Sequence, residues 1–275
     1  MMKKLYLVVA LWAASTVAVM AAGGGIQLLD AKPDIHDKDS LQNGAKLFVN
    51  YCMSCHSLSY MRYNRMGSDM GLTDAQVKDN LMFASDKVVN SMDIAMRKDD
   101  AKKWFGSPPP DLSVIARSRG ANWLYSYLLT FYEDPSPTRP FGVNNVVFKD
   151  VAMPHALWPL QGHQRYVAAP VEGTIKSDHV SGLATDPSGV LIRRQVTLDS
   201  GEVLYVSDRL EVDIAGQLPP GAYREASRDL VNFLVYAGEP SKLQRDAMGF
   251  WVLLFIAILF VLSRMLYKEY WRDVH

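Results

Sequence analysis

Cysteine is scarce. The 275-residue chain holds only two, Cys52 and Cys55, and both fall within one pentapeptide that uses them, which leaves no intrachain disulfide to brace the fold. A zinc site is also excluded, because it would need further Cys or His at ligand spacing. Excess charge is missing too: 29 basic side chains oppose 29 acidic ones, and the polybasic case for nucleic acid as a partner falls away. Long apolar runs are absent from the middle of the sequence and confined to its two ends. The length suits one large or two small domains with a sizeable core.

The pentapeptide is Cys52-Met53-Ser54-Cys55-His56. It reads C-x-x-C-H, the attachment sequence for a c-type haem. Two thiols one turn apart can add to the two vinyl groups on one porphyrin edge, which brings the adjacent imidazole beneath the iron as an axial ligand. A thioredoxin-like dithiol is the rival reading. It does not require His56, and no βαβ pattern surrounds the motif.

The two ends concern the membrane. Lys3 and Lys4 precede an apolar run from Leu5 to Met20 and the small residues Ala21 to Gly25, the pattern of a secretory signal over residues 1–22, with cleavage near Ala21 or Ala22. An uncleaved anchor is the alternative, since about 17–25 residues span a bilayer. Without Lys3 and Lys4 the chain has 27 basic against 29 acidic residues. At the other end, Ala247 to Ser263 is an uncharged, mostly apolar stretch followed by Arg264, Lys268 and Arg272. We read residues 244–267 as a transmembrane helix and 268–275 as a cytoplasmic tail. Residues 23–243 then form a periplasmic domain on the outer side of the cell (inner) membrane.

Within that domain the periodicity is mainly helical. Asp39 or Ser40 can cap a helix whose Leu41, Ala45, Phe48 and Cys52 share one face. Gly44 lies on or beside that face, where it costs about 1 kcal/mol and so points to close contact with another element. Helical spacing returns from Thr73 to Met96. Pro108-Pro109-Pro110-Asp111 forms a stiff turn, with Asp111 or Ser113 placed to cap the next helix. Leu112, Ile115, Ala116, Trp123, Leu124, Tyr127 and Leu128 then recur at helical spacing, interrupted near Gly120. Val190–Leu198 and Glu202–Val206 flank Asp199-Ser200-Gly201 and predict a hairpin, read as a surface excursion. Leu230, Phe233, Leu234 and Ala237 mark a final apolar helix face, ended by Gly238 and Pro240.

The sixth iron ligand stays open on the residues alone. Met153 sits in a loop fixed by Pro154. Met82, Met92 and Met96 are rivals, although Met is more often core filler. His155, His163 and His179 are others.

Taken in order, the motifs resemble cytochrome c1 in a bacterial form, the haem-bearing subunit of the ubiquinol–cytochrome c reductase (cytochrome bc1) complex. The resemblance rests on Gly44–Phe48 leading into Cys52–His56, Pro109–Ser113 with Arg117–Arg119, Leu128–Thr130 before Tyr132, Phe141–Asn145, Met153-Pro154, and Asp229–Leu234 through Pro240. It implies a mainly α c-type cytochrome domain with loop and small β-hairpin insertions, plus one C-terminal transmembrane helix. It further implies one covalent haem c on Cys52 and Cys55, axial ligands His56 and Met153, a haem-lining Pro110, and Arg119 rather than Arg117 as propionate partner. The implied partners are cytochrome b, the Rieske iron–sulfur protein as donor and a soluble or tethered cytochrome c as acceptor, within a dimeric complex whose quinol site lies on another chain. Residues 178–213 have no counterpart in this resemblance. Two other functions fit the motif: a free-standing anchored cytochrome feeding a terminal oxidase, and a haem sensor or peroxidase-like enzyme with an open sixth site.

Overall fold

The computed structural model describes residues 25–273. The expected signal sequence over 1–22 lies outside the described residues. The first helix, α1 (Lys38–Leu47), is capped by Asp37, whose side chain accepts from the Ser40 amide at 3.1 Å. Neither Asp39 nor Ser40 takes that role, because the helix begins two or three residues earlier than the periodicity suggests. A single π-helical turn, Phe48–Cys52, follows and carries the chain into the cysteine motif. Such wider turns inside helices are often found at functional positions.

Next come β1 (Leu58–Arg62), α2 (Tyr63–Met70), α3 (Asp74–Asn80), β2 (Ser91–Met92) and α4 (Lys98–Phe105). The helical spacing over Thr73–Met96 is therefore realised only in its first third, where Thr73 and Gln76 form a reciprocal capping box. Beyond Asn80 the chain runs irregularly to β2, which pairs antiparallel with β1. The expected helix after the prolines is two helices, α5 (Ile115–Arg119) and α6 (Ala121–Leu129), separated at Gly120, whose φ is 88°. Asp111 does not cap α5 by side chain. It instead accepts from the Ser113 amide at 2.8 Å and the Ser59 amide at 3.0 Å, tying the proline turn to β1.

A short hairpin, β3 (Phe131–Glu133) with β4 (Val143–Asn145), and a helical turn, α7 (Trp158–Gln161), lead into a sheet. That sheet is larger than the expected hairpin. It contains β5 (Gly162–Val167), β6 (Ile175–Thr185), β7 (Val190–Leu198) and β8 (Val203–Ala215), all neighbours antiparallel in the order β5-β8-β7-β6. The β7–β8 hairpin turns at Asp199–Gly201 as the sequence suggests. The sheet is not a loose excursion, however: Leu183, Val190, Ile192 and Leu210 join the same core as the helices. Gln27 also pairs with the β6 edge, exchanging backbone bonds with Ser181 and Leu183.

Helix α8 (Pro220–Gly238) crosses α1 and closes the core. A Cβ placed on Gly44 would lie 2.1 Å from the Asp229 carbonyl oxygen and 2.6 Å from Phe233 Cβ. No side chain larger than hydrogen fits there. Around the crossing, Ser40 donates to Asp229 at 2.7 Å and the Phe48 and Phe233 rings lie 5.7 Å apart. After Glu239-Pro240-Ser241, α9 (Lys242–Tyr270) extends alone for 29 residues with apolar side chains exposed on every side. Its length of about 43 Å at 1.5 Å per residue exceeds a hydrocarbon core of about 30 Å. It is a single-pass membrane anchor beside a large extramembrane domain.

Replacing Gly44 with Ala forces α1 and α8 apart. Overpacking of this kind costs about 3 kcal/mol, equivalent to a fall of roughly 6–12 °C in thermal midpoint for a chain of this size. Circular dichroism melts of both proteins check it. A midpoint within about 2 °C of wild type contradicts the close crossing.

Candidate haem-binding site

The π-turn at the end of α1 delivers Cys52 and Cys55 on adjacent turns. The amides of Cys55 and His56 both donate to the Cys52 carbonyl, at 3.0 and 2.9 Å, which winds the motif tightly. Both cysteines are half-buried. Burial, with a smaller push from Cys55, raises the Cys52 thiol to about 12. A reactive dithiol needs the opposite shift, so the environment disfavours the thioredoxin-like reading.

His56 is only 8 % exposed. Its Nδ1 donates to the Pro110 carbonyl at 2.7 Å, which fixes the tautomer and leaves the Nε2 lone pair available to a metal. Burial lowers the imidazole below its usual range, although the Pro110 carbonyl and Asp111 work against that. The ring is therefore held neutral, the form that binds a metal. Pro110 thus acts through its carbonyl on the imidazole, a role that the stiffness of the proline turn alone does not reveal. The Leu112 amide donates to the Ser57 carbonyl at 2.9 Å and fastens the same turn.

Met153 lies half-buried on the far side of the 110–127 segment in sequence. The Tyr127 hydroxyl donates to its sulfur at 3.4 Å. Trp123 stacks on Tyr127 with centroids 5.0 Å apart and planes 10° from parallel. The exposed Arg119 guanidinium sits 5.1 Å from the Trp123 centroid and 5.9 Å from that of Phe148. Among the described residues Arg119 has no carboxylate within ion-pair range, whereas Arg117 approaches Glu239 at 3.9 Å.

One short segment therefore serves both expected ligands. Its beginning, Pro110, accepts from His56; its end, Tyr127, donates to Met153. The loop before Met153 is tied by two asparagines. Asn145 accepts from the amides of Val147 and Phe148 at 2.9 and 3.1 Å and donates to the Tyr127 carbonyl at 2.8 Å. Asn144 accepts from the Asp150 amide at 2.9 Å and donates to Asp134 at 3.0 Å. The Asn-Asn pair is visible in the sequence, but its bracing function is not.

The rival ligands have other surroundings, and the His155 Nε2 is buried with no hydrogen-bond partner among the described residues. His155 is buried with its ring stacked on Phe131 at 4.8 Å, and burial lowers it to about 4. His163 pairs with Glu133 at 2.9 Å. His179 is exposed on β6. Met82 and Met92 are packed in the core, while Met96 is half-buried in the irregular stretch before α4. A pair of thiols, a neutral imidazole fixed through Nδ1 and a braced thioether are a donor set that fits haem c.

Comparison with known proteins agrees. The model of the cytochrome C1 family matches residues 30–166 and 218–274. A cytochrome c1 from Allochromatium vinosum is 44% identical over 274 residues, covering 100% of both chains. The chain belongs to the cytochrome c1 family. A protein of Nitrosomonas europaea named ammonia monooxygenase gamma subunit is 40% identical, covering 93% of this chain and 92% of its own. Cytochrome c1 of Rhodospirillum rubrum is 25% identical over 93% and 94% of the two chains. As a cytochrome c1, the chain carries a covalently bound haem c and is an electron-transfer subunit of the cytochrome bc1 oxidoreductase, with that complex's other subunits as partners. The unmatched residues 167–217 are most of the four-stranded sheet, and they contain the whole 178–213 stretch for which the sequence resemblance has no counterpart. Their polar centre is Asp208, buried at 1 % exposure, which pairs with Arg194 at 2.8 Å and accepts from the Tyr166 hydroxyl.

The proline turn gives a pH prediction. Burial pushes the Asp111 carboxyl up, but the hydrogen bonds from Ser113 and Ser59 outweigh it and hold the group below the usual aspartate value. A depressed carboxyl stabilises the fold above its unfolded pKa, and that contribution disappears as pH falls through the folded value. Asp111→Asn should therefore lower the stability at pH 7 by a modest amount, about 0.5 kcal/mol after screening at this exposed carboxyl, and the thermal midpoint with it. The gap from wild type should close in acid, where protonated Asp resembles Asn. Melting curves from pH 7 down to about pH 3 check it. A gap that is independent of pH contradicts the assignment.

Proposed function

We propose that this chain passes single electrons from the Rieske iron–sulfur protein to a cytochrome c on the periplasmic side of the membrane, through a haem ligated by His56 and Met153. The supporting observation is that the 110–127 segment bonds to the ligand at each end. Bound haem c supplies the one-electron iron couple, and His/Met ligation gives the raised potential suited to a late step in quinol oxidation. The chain's own residues bind, orient and exclude water. Cys52 and Cys55 fix the porphyrin edge, His56 is oriented by Pro110, Met153 is held by its braced loop, and Arg119 meets a propionate. No residue need act as acid or base.

The domain assignment follows the same reading: signal over 1–22, haem domain over 23–243, anchor over 244–267 and cytoplasmic tail over 268–275. The anchor keeps the haem domain beside cytochrome b, within a dimeric complex, and raises the effective concentration of its partners. Encounters with the mobile carriers are then small and partly electrostatic. Affinity purification of the full-length chain from its own membranes should recover cytochrome b and the Rieske protein. Recovery of a terminal oxidase instead would make it a free-standing carrier.

The name of the Nitrosomonas relative raises an oxygen-activating alternative for that protein. Such chemistry at haem requires an open coordination position, and a Met153 thioether fills it. The wild-type cytochrome should show the near-infrared sulfur-to-iron band when oxidised and ignore CO when reduced. Met153→Leu should lose the band, bind CO and fall in midpoint potential. Ready CO binding by wild type would instead favour the sensor or enzyme reading.

A further inference from the structure

The Tyr127 side chain is held on several sides. Trp123 covers one ring face, and the Phe131 ring meets it edge-on with centroids 5.0 Å apart and planes at 71°. Its backbone carbonyl accepts from Asn145, the residue that also gathers the Val147 and Phe148 amides of the Met153 loop. Donor and acceptor are thus referenced to one asparagine. The hydroxyl ends 3.4 Å from the Met153 sulfur. A phenol hydroxyl pointed at a thioether sulfur is the donor of that pair, since the sulfur carries no hydrogen.

A thioether sulfur has two lone pairs. One can bind iron while the other accepts a hydrogen bond, so the Tyr127 contact is compatible with ligation. We propose that Tyr127 is a positioning residue for the sixth ligand, whose hydroxyl both orients the Met153 sulfur and sets the reduction potential upward. The inference rests on Met153 being that ligand. A hydrogen bond to the free lone pair withdraws electron density from sulfur and makes it a poorer donor. Ferric iron depends on donation more than ferrous iron does, so the bond favours the reduced state. Partners of this kind, one bond removed from the metal, commonly tune a site as strongly as they orient it.

The test compares full-length holo-cytochrome as wild type, Tyr127→Phe and Tyr125→Phe. Tyr125 is a buried tyrosine on the same helix whose ring and hydroxyl face Arg228 rather than Met153. Phe at 127 keeps the ring and its stacking. Redox titration should show a lower midpoint for Tyr127→Phe and an unchanged one for Tyr125→Phe. The sulfur-to-iron band should persist in Tyr127→Phe but shift in energy. In the reduced, diamagnetic wild type, the Tyr127 hydroxyl proton should exchange slowly and show a nuclear Overhauser effect to the Met153 methyl group. That last measurement needs no variant and stands even if Tyr127→Phe fails to mature. An unaltered band and midpoint in Tyr127→Phe, a shift no larger than that of Tyr125→Phe, or the absence of that Overhauser effect overturns the inference. A wild type without the sulfur-to-iron band is a different failure: it removes Met153 as ligand, and Tyr127 with it.

Discussion

The rest of the molecule hangs on the crossing of α1 and α8 at Gly44. One helix leads directly into the haem cysteines and the other leads, after three residues, into the membrane anchor. Because the Asp229 carbonyl and Phe233 press on Gly44, the two cannot slide or separate without opening the core. The haem motif is thereby held at a fixed place relative to the point where the chain enters the lipid. For an electron carrier that fixity matters, since transfer depends on how far the haem lies from its donor and acceptor.

On this frame the proline turn and the helices after it connect His56 to Met153. The chemistry at each end is a second-layer hydrogen bond: a carbonyl orients an imidazole, and a hydroxyl orients a thioether. Neither end uses a formal charge. Charge sits outside, in Arg119 at the aromatic edge and in the Arg194–Asp208 pair of the inserted sheet. That sheet shares the hydrophobic core yet falls outside the family match, so this cytochrome c1 builds part of its core from residues that the family pattern lacks.

Features with a strong local cause were legible in the sequence. The haem motif is a fixed spacing of reactive side chains. Gly44 signalled its contact because glycine inside a helix is costly without one. The anchor shows itself by composition. The features that escaped have causes distant in sequence. β5 and β6 carry His, Gln, Arg, Ser and Gly where strand formers are expected, and their pairing with β8 and β7 supplies what propensity does not. Asp39 and Ser40 read as caps for α1, yet Asp37 takes the role, with the lead-in chain before it held by Arg228 and Asn232 of α8. The Tyr127–Met153 bond joins residues 26 apart, and no periodicity reports it.

Iron K-edge X-ray absorption of the oxidised full-length protein tests the account most directly, because it reads the ligand atoms without altering the chain. The account predicts one sulfur in the iron's first coordination shell, with nitrogen in every other position. A shell of nitrogen alone, or one with a position left open, would contradict it.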